Sequence, residues 1–221
     1  MHAATTQRVL DSGLRAAFMT RYPLISTFNI ASPPGALDVV RQIPAIVVDV
    51  PGTVADPTIL TLHLKCCLDL DDPFRRAVEL KRIRDFLTQR GLTADDNVII
   101  LGDFNLIGGD FVYSEIPPGL PRSFILGEDI VFPVNYYTNP ADYFLQWSID
   151  AVGSTQLNGS ANTQGSSQLD FILATRALRN RPYAGEIYNS ALDVDNETGL
   201  PKAGLPLSER TSSNASDHLA V

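Results

Sequence analysis

The residues best suited to chemistry fall in four short segments, in the order Leu62-His63-Leu64-Lys65, Gly102-Asp103-Phe104-Asn105, Leu169-Asp170-Phe171-Ile172 and Ser216-Asp217-His218. The chain has three histidines, and two of them lie here. Carboxylates, imidazoles and a primary amide together suit the attack of water on a phosphate ester. Anionic oxygens shield the phosphorus, so charge must be neutralised before water can approach, and a divalent metal held by hard carboxylate oxygens does this. The water must give up a proton, which an Asp or His accepts. Charge on the phosphoryl oxygens calls for donors such as His, Asn or Arg. An Asp can also hold a His in one tautomer and favour its charged form.

Each segment taken alone has an ordinary explanation. Gly-Asp-x-Asn after a strand is a common turn, because Asp and Asn bond their own backbone there. A single histidine is more often a satisfied, half-buried side chain than a catalyst, and Ser-Asp-His recurs by chance. Asp170 is harder to dismiss. A carboxylate flanked by Leu169, Phe171 and Ile172 needs a partner if buried, and His218 is a natural one. All four segments in this order, each at a strand, favour the functional reading.

The surrounding pattern supplies the strands. Residues 14–19 read as a short apolar strand ended by Arg21-Tyr22-Pro23, and residues 43–50 as a β-branched strand turned by Pro51-Gly52. Residues 58–65 alternate, with Ile59, Thr61, His63 and Lys65 on one face and Leu60, Leu62 and Leu64 on the other. A helix follows, with Asp72 as N-cap, Pro73 at its first position and Gly91 closing it. Leu80, Ile83, Phe86 and Leu87 share one side, as do Arg76 and Glu79, which are spaced to pair. Residues 97–101 form an apolar run suited to a strand buried on both faces, and lead straight into Gly102-Asp103. Residues 108–142 read as a long ordered insertion without period, residues 154–167 as a loop or hairpin tip, residues 169–174 as a strand, and residues 193–214 as loop. Strands alternating with helical or loop crossovers indicate an α/β fold with mixed sheets.

With 221 residues, 44% of them hydrophobic and 19% charged, the chain fits one domain able to bury a core. No apolar run reaches the ~18 residues that span a bilayer, and no signal peptide is visible, so a cytoplasmic location is expected if Met1 is the true start. A net charge of −8 argues against a generally basic nucleic-acid footprint, although a local cationic patch with a divalent metal still allows a nuclease. Cys66 and Cys67 are adjacent and too few for a disulfide framework or a zinc site.

The four segments resemble the endonuclease/exonuclease/phosphatase superfamily, which includes pancreatic-type deoxyribonucleases, abasic-site endonucleases, neutral sphingomyelinases and inositol-polyphosphate phosphatases. Thr20-Arg21-Tyr22-Pro23 adds to the likeness, which runs over residues 18–221. The resemblance implies a two-sheet α/β sandwich with outer helices and hydrolysis of a phosphodiester, dependent on Mg²⁺ or Mn²⁺, without a covalent intermediate. It assigns Asp103 to activating or positioning the attacking water, Asn105 to orienting it and contacting phosphate, and His218 to the scissile phosphate. Asp170 would orient His218, and His63 would assist the leaving group. Asp217, with Asp103, would hold the metal, and Arg41 would contact substrate phosphate. The substrate stays open among nucleic acid, phospholipid and sugar phosphate, with the acidic composition tilting toward a smaller or lipid phosphoester. Nothing before Arg21 offers the family's strand-borne Asn and Glu, and Leu219-Ala220-Val221 begins a further apolar strand at the end. A single domain over residues 1–221, incomplete at the N-terminus and at the last strand, is therefore expected. The alternative is a non-catalytic remnant of the fold that binds a phosphorylated partner.

Overall fold

Alternation along residues 58–63 sorts the central strand into two faces, and both layers of the molecule follow from it. The structure is a computed structural model that describes residues 2–5, 15–52, 56–193, 199–201 and 207–219. Its ten strands are β1 (His2–Thr5), β2 (Ala17–Thr20), β3 (Leu24–Ile30), β4 (Ile43–Val48), β5 (Thr58–His63), β6 (Val98–Asp103), β7 (Phe111–Tyr113), β8 (Val134–Tyr136), β9 (Asp150–Ala151) and β10 (Asp170–Ala174). The helices are α1 (Asp72–Gln89), α2 (Arg176–Arg179) and α3 (Thr211–Ala215). Six strands form one mixed sheet in the order β3-β4-β5-β6-β10-β9, in which only β5 and β6 pair in parallel. That parallel step needs a crossover, which α1 supplies.

One face of the sheet is the core. Leu60, Leu62, Val98, Ile100 and Leu173 are almost fully buried there with Leu80, Ile83 and Leu87 of α1. Burying side chains of this size stabilises by roughly 1.5–3 kcal/mol each, which is why α1 docks on this face. The opposite face carries Ile59, Thr61, Ile99 and Leu101, half exposed. The run at residues 97–101 is thus buried on one face and only partly on the other, contrary to the sequence reading. β2 lies over this second face, with a cavity of about 440 Å³ between Phe18, Met19 and Tyr22 on one side and Ile46, Ile59 and Leu101 on the other. β1 and β2 pair with each other as a second, two-stranded sheet.

Local departures from the sequence reading have physical reasons. The N-cap of α1 is Asp71, not Asp72; Asp72 is the first helical residue, and its side chain bonds the Asp69 amide and pairs with Lys65. Gly91 follows the helix at a φ of 65°, where glycine is favoured. Arg76 and Glu79 do not pair with each other but turn to backbone groups. The insertion at 108–142 contains the small sheet β7–β8, whose Tyr136 reaches back under α1. Within residues 193–214, the described part includes the start of α3. At the chain's end Leu219 is not in a strand, and Ala220 and Val221 lie outside the described residues. No helix among the described residues is long and apolar enough to cross a membrane.

Candidate active site

Strand register gathers the site. His63 is the Cα partner of Asp103 across the parallel β5–β6 ladder, and Asp103 is the partner of Asp170 across the antiparallel β6–β10 ladder. Partners in register point to the same face, so three adjacent strands place an imidazole and two carboxylates side by side, on the face opposite α1. Gly102 makes this possible. It sits at a φ of 129°, and a Cβ there would strike the Leu62 carbonyl oxygen.

Beyond β6 the chain turns sharply. Asn105 adopts a φ of 51°. Its amide nitrogen donates to Asp103 Oδ1 at 2.9 Å, and its side-chain Nδ2 to Asp103 Oδ2 at 2.7 Å. The ordinary turn and the functional pair are therefore the same contact. His63 Nε2 lies 3.4 Å from Asp103 Oδ2.

His218 comes from a segment more than forty residues beyond β10. The Leu219 amide donates to the Thr163 carbonyl at 2.8 Å, and Gln164 Nε2 donates to Asp217 Oδ2 at 3.1 Å. Thr163 Oγ1 accepts the amides of Leu169 and Asp170. One buried threonine thus fixes the start of β10 while its carbonyl holds the histidine segment against it. His218 Nδ1 and Asp170 Oδ2 are 2.6 Å apart. Sequence reasoning passed over Thr163 and Gln164, because a polar loop of small residues gives no sign of which hydroxyl or amide will be used.

The electrostatics follow from this crowding. Burial, and then the neighbouring Asp170 charge, push Asp103 up to about 6, against the opposing pull of His218 and the bonds from Asn105. Burial alone would lower His218, but its hydrogen bond to Asp170 and the charges of Asp170, Asp103 and Asp217 outweigh it and raise the imidazole above its ordinary value. Side-chain exposure of 37% at His63, 21% at His218, 16% at Asp170 and 12% at Asp103 leaves the group reachable yet screened from bulk water.

The structure brings His63, Asp103, Asn105, Asp170 and His218 together. It places Asp217 at the exposed margin, bonded to Gln164. It places the Arg41 guanidinium beneath the site, where Nη1 donates to the carbonyls of His63 and Leu64, both at 3.0 Å. A metal can be tested against the donors present. Ligand atoms of Asp103, Asp170 and His218 lie within 4.8 Å of one another. Two neighbouring carboxylates, one of them raised by burial and then by the other's charge, fit a hard dication, and this cluster could hold one. Asp217 is not part of that group among the described residues.

The fold is similar to that of solved structures. The catalytic domain of human Nocturnin superposes with a TM-score of 0.53 at 14% identity, over 79% of this chain and 60% of that one. A beta toxin from Staphylococcus aureus gives 0.49 at 16%, over 92% and 65%. Sphingomyelinase C from Streptomyces griseocarneus gives 0.48 at 13%, over 92% and 65%. The chain spans less than two thirds of each of these solved chains. No curated protein sequence matches it. The profile of the Endonuclease/Exonuclease/phosphatase family matches residues 16–218, which include every segment of the site just described, and the chain belongs to that family.

Proposed function

We propose that this chain hydrolyses a phosphodiester with a water activated at Asp103, as a metal-dependent phosphoric ester hydrolase. The observation that carries the reading is the convergence of Asp103, Asp170 and His218 within 4.8 Å, with His218 bonded to Asp170. The Asp103 carboxylate, held by two bonds from Asn105, is placed to accept a proton from water. Asn105 holds that carboxylate and orients the nucleophile. His218, whose charged form is favoured by its contact with Asp170, donates to the phosphoryl oxygens, and His63 stands on the other side of Asp103 to protonate the leaving group. A dication such as Mg²⁺ or Mn²⁺ at Asp103 and Asp170 would neutralise charge on the phosphoryl group. Arg41, turned to backbone carbonyls, is not given a phosphate contact.

The test is hydrolysis of bis-p-nitrophenyl phosphate, sphingomyelin dispersions and plasmid DNA with Mg²⁺ or Mn²⁺. Turnover of at least one, lost in His218→Ala, is the expected outcome, and the preferred substrate names the branch. No turnover of any at any metal concentration, with phosphodiester binding retained, would replace this reading with that of a non-catalytic binder.

A further inference from the structure

Directly after His63 the chain leaves β5 and runs through Leu64, Lys65, Cys66 and Cys67 toward α1. Backbone groups in such a segment need partners, and water or neutral side chains would serve. Charged side chains serve instead. Glu79 of α1, 1% exposed, accepts the Lys65 amide at Oε2 (3.0 Å) and the Val40 amide at Oε1 (3.2 Å). Arg76, fully buried, donates through Nη1 to the carbonyls of Lys65 (3.0 Å) and Cys67 (2.8 Å). Its guanidinium lies over the ring of Tyr136, whose hydroxyl accepts the Ile107 amide and donates to the Ile107 carbonyl. Arg41 donates to the carbonyls of His63 and Leu64, and Asn105 Nδ2 donates to that same Leu64 carbonyl at 3.3 Å.

Burying the ionisable side chains of Arg76 and Glu79, with Arg41 half-buried beside them, is an expensive way to dock a helix, since apolar packing holds a helix at least as well. What charged groups add is direction: each of these bonds fixes a particular carbonyl or amide. The segment they fix begins at His63, and Asn105 also bonds it at the Leu64 carbonyl. We propose that Glu79, Arg41 and Arg76 are positioning residues. They lock residues 63–67 so that the His63 imidazole and the Asn105 side-chain amide both meet Asp103 Oδ2. The proposal rests on the phosphoesterase reading for its catalytic meaning, but the clamp itself is measurable without substrate.

The first measurement is amide hydrogen exchange of the unaltered protein. The Lys65 amide lies beyond the end of β5 and should still be strongly protected. Glu79→Gln then sets an amide NH₂ against one of the two backbone donors and breaks one arm of the clamp. It should speed Lys65 exchange, shift the His63 ring resonances in long-range ¹H–¹⁵N spectra, and lower kcat roughly 10–100-fold with KM little changed. Arg41→Lys, which keeps the charge but not the planar fork, should move the same His63 resonances if Glu79→Gln fails to fold. The control is Arg82→Lys, which weakens the buried Arg82–Asp38 pair on the same helix, away from the site. It should lower stability and leave the His63 resonances and kcat in place. Free exchange at Lys65, unmoved His63 resonances in both clamp variants, or an equal loss of kcat in Arg82→Lys would each overturn the proposal. Absence of turnover in the unaltered protein would count against the phosphoesterase reading alone, because exchange and ring resonances report on the clamp without it.

Discussion

Asp103 meets two demands that usually fall to different residues. Its oxygens close the turn at Asn105, and the same carboxylate faces Asp170 and His63 across the ladders. Asp170 is simpler: its hydrogen bond and charge raise the His218 pKa against the opposing effect of burial. Asp170→Asn preserves size and a bond to the imidazole but removes that charge. The His218 pKa should fall, and kcat should drop by roughly 10²–10⁴-fold with the fold intact. NMR titration of His218 and steady-state kinetics on bis-p-nitrophenyl phosphate measure both, and an unchanged kcat would make the pair purely structural. This pair could be read from the sequence, because a carboxylate between Leu169, Phe171 and Ile172 demands a partner. The destination of Arg41 could not. Its acceptors are main-chain carbonyls, which every residue has, so no spacing of side chains announces them.

At the scale of elements, β5 and α1 were legible because each has a periodic apolar face and a Pro or Gly boundary, and β6 because a continuous apolar run leads straight into Gly102. β7 and β8 were not, since three-residue strands give too few alternations to separate from loop. Nor did the sequence show how closely β5 and β6 approach. That closeness makes Gly102→Ala a sharp test. The substitution meets both an unfavourable φ and the Leu62 carbonyl, a backbone atom that cannot swing aside. It should cost about 3 kcal/mol or more in urea denaturation, beyond an ordinary glycine effect. A cost below about 1 kcal/mol would mean the ladder yields there. α1 offers a second test through Glu79, whose carboxyl is pushed up to about 7 by burial, against the bonds from Lys65 and Val40. A group with a folded pKa above its unfolded value of 4.5 binds more protons when folded. Its contribution to stability is therefore full below about pH 4.5 and is lost as pH rises through about 7. Denaturation midpoints of the unaltered protein minus those of Glu79→Gln should decline across that window, by on the order of a few kcal/mol in free energy. Parallel curves would show that Glu79 titrates at an ordinary value.

For the whole molecule the dominant fact is an excess of negative charge, −8 over the chain, with two carboxylates facing each other where β6 ends and β10 begins. The fold tolerates that repulsion, and a bound dication would relieve it. A ligand that binds only the folded state stabilises it by RT ln(1 + [L]/Kd), about 1.4 kcal/mol at tenfold Kd. For a chain of this size each kcal/mol moves Tm by about 2–4 °C, so Mg²⁺ or Mn²⁺ near that level should raise Tm by about 3–6 °C. Part of any such rise could come from screening, because salt weakens self-repulsion at every exposed acidic side chain. Two controls separate the effects. Buffers containing EDTA and sodium chloride at matched ionic strength report screening alone. Asp103→Asn removes the repulsion and one ligand together, and also one of the two bonds from Asn105, so whatever its starting Tm it should gain little when metal is added. If the variant gains as much as the unaltered protein, the ion acts elsewhere on the surface, and Asp103 serves the turn at Asn105 and the proton transfer without holding metal.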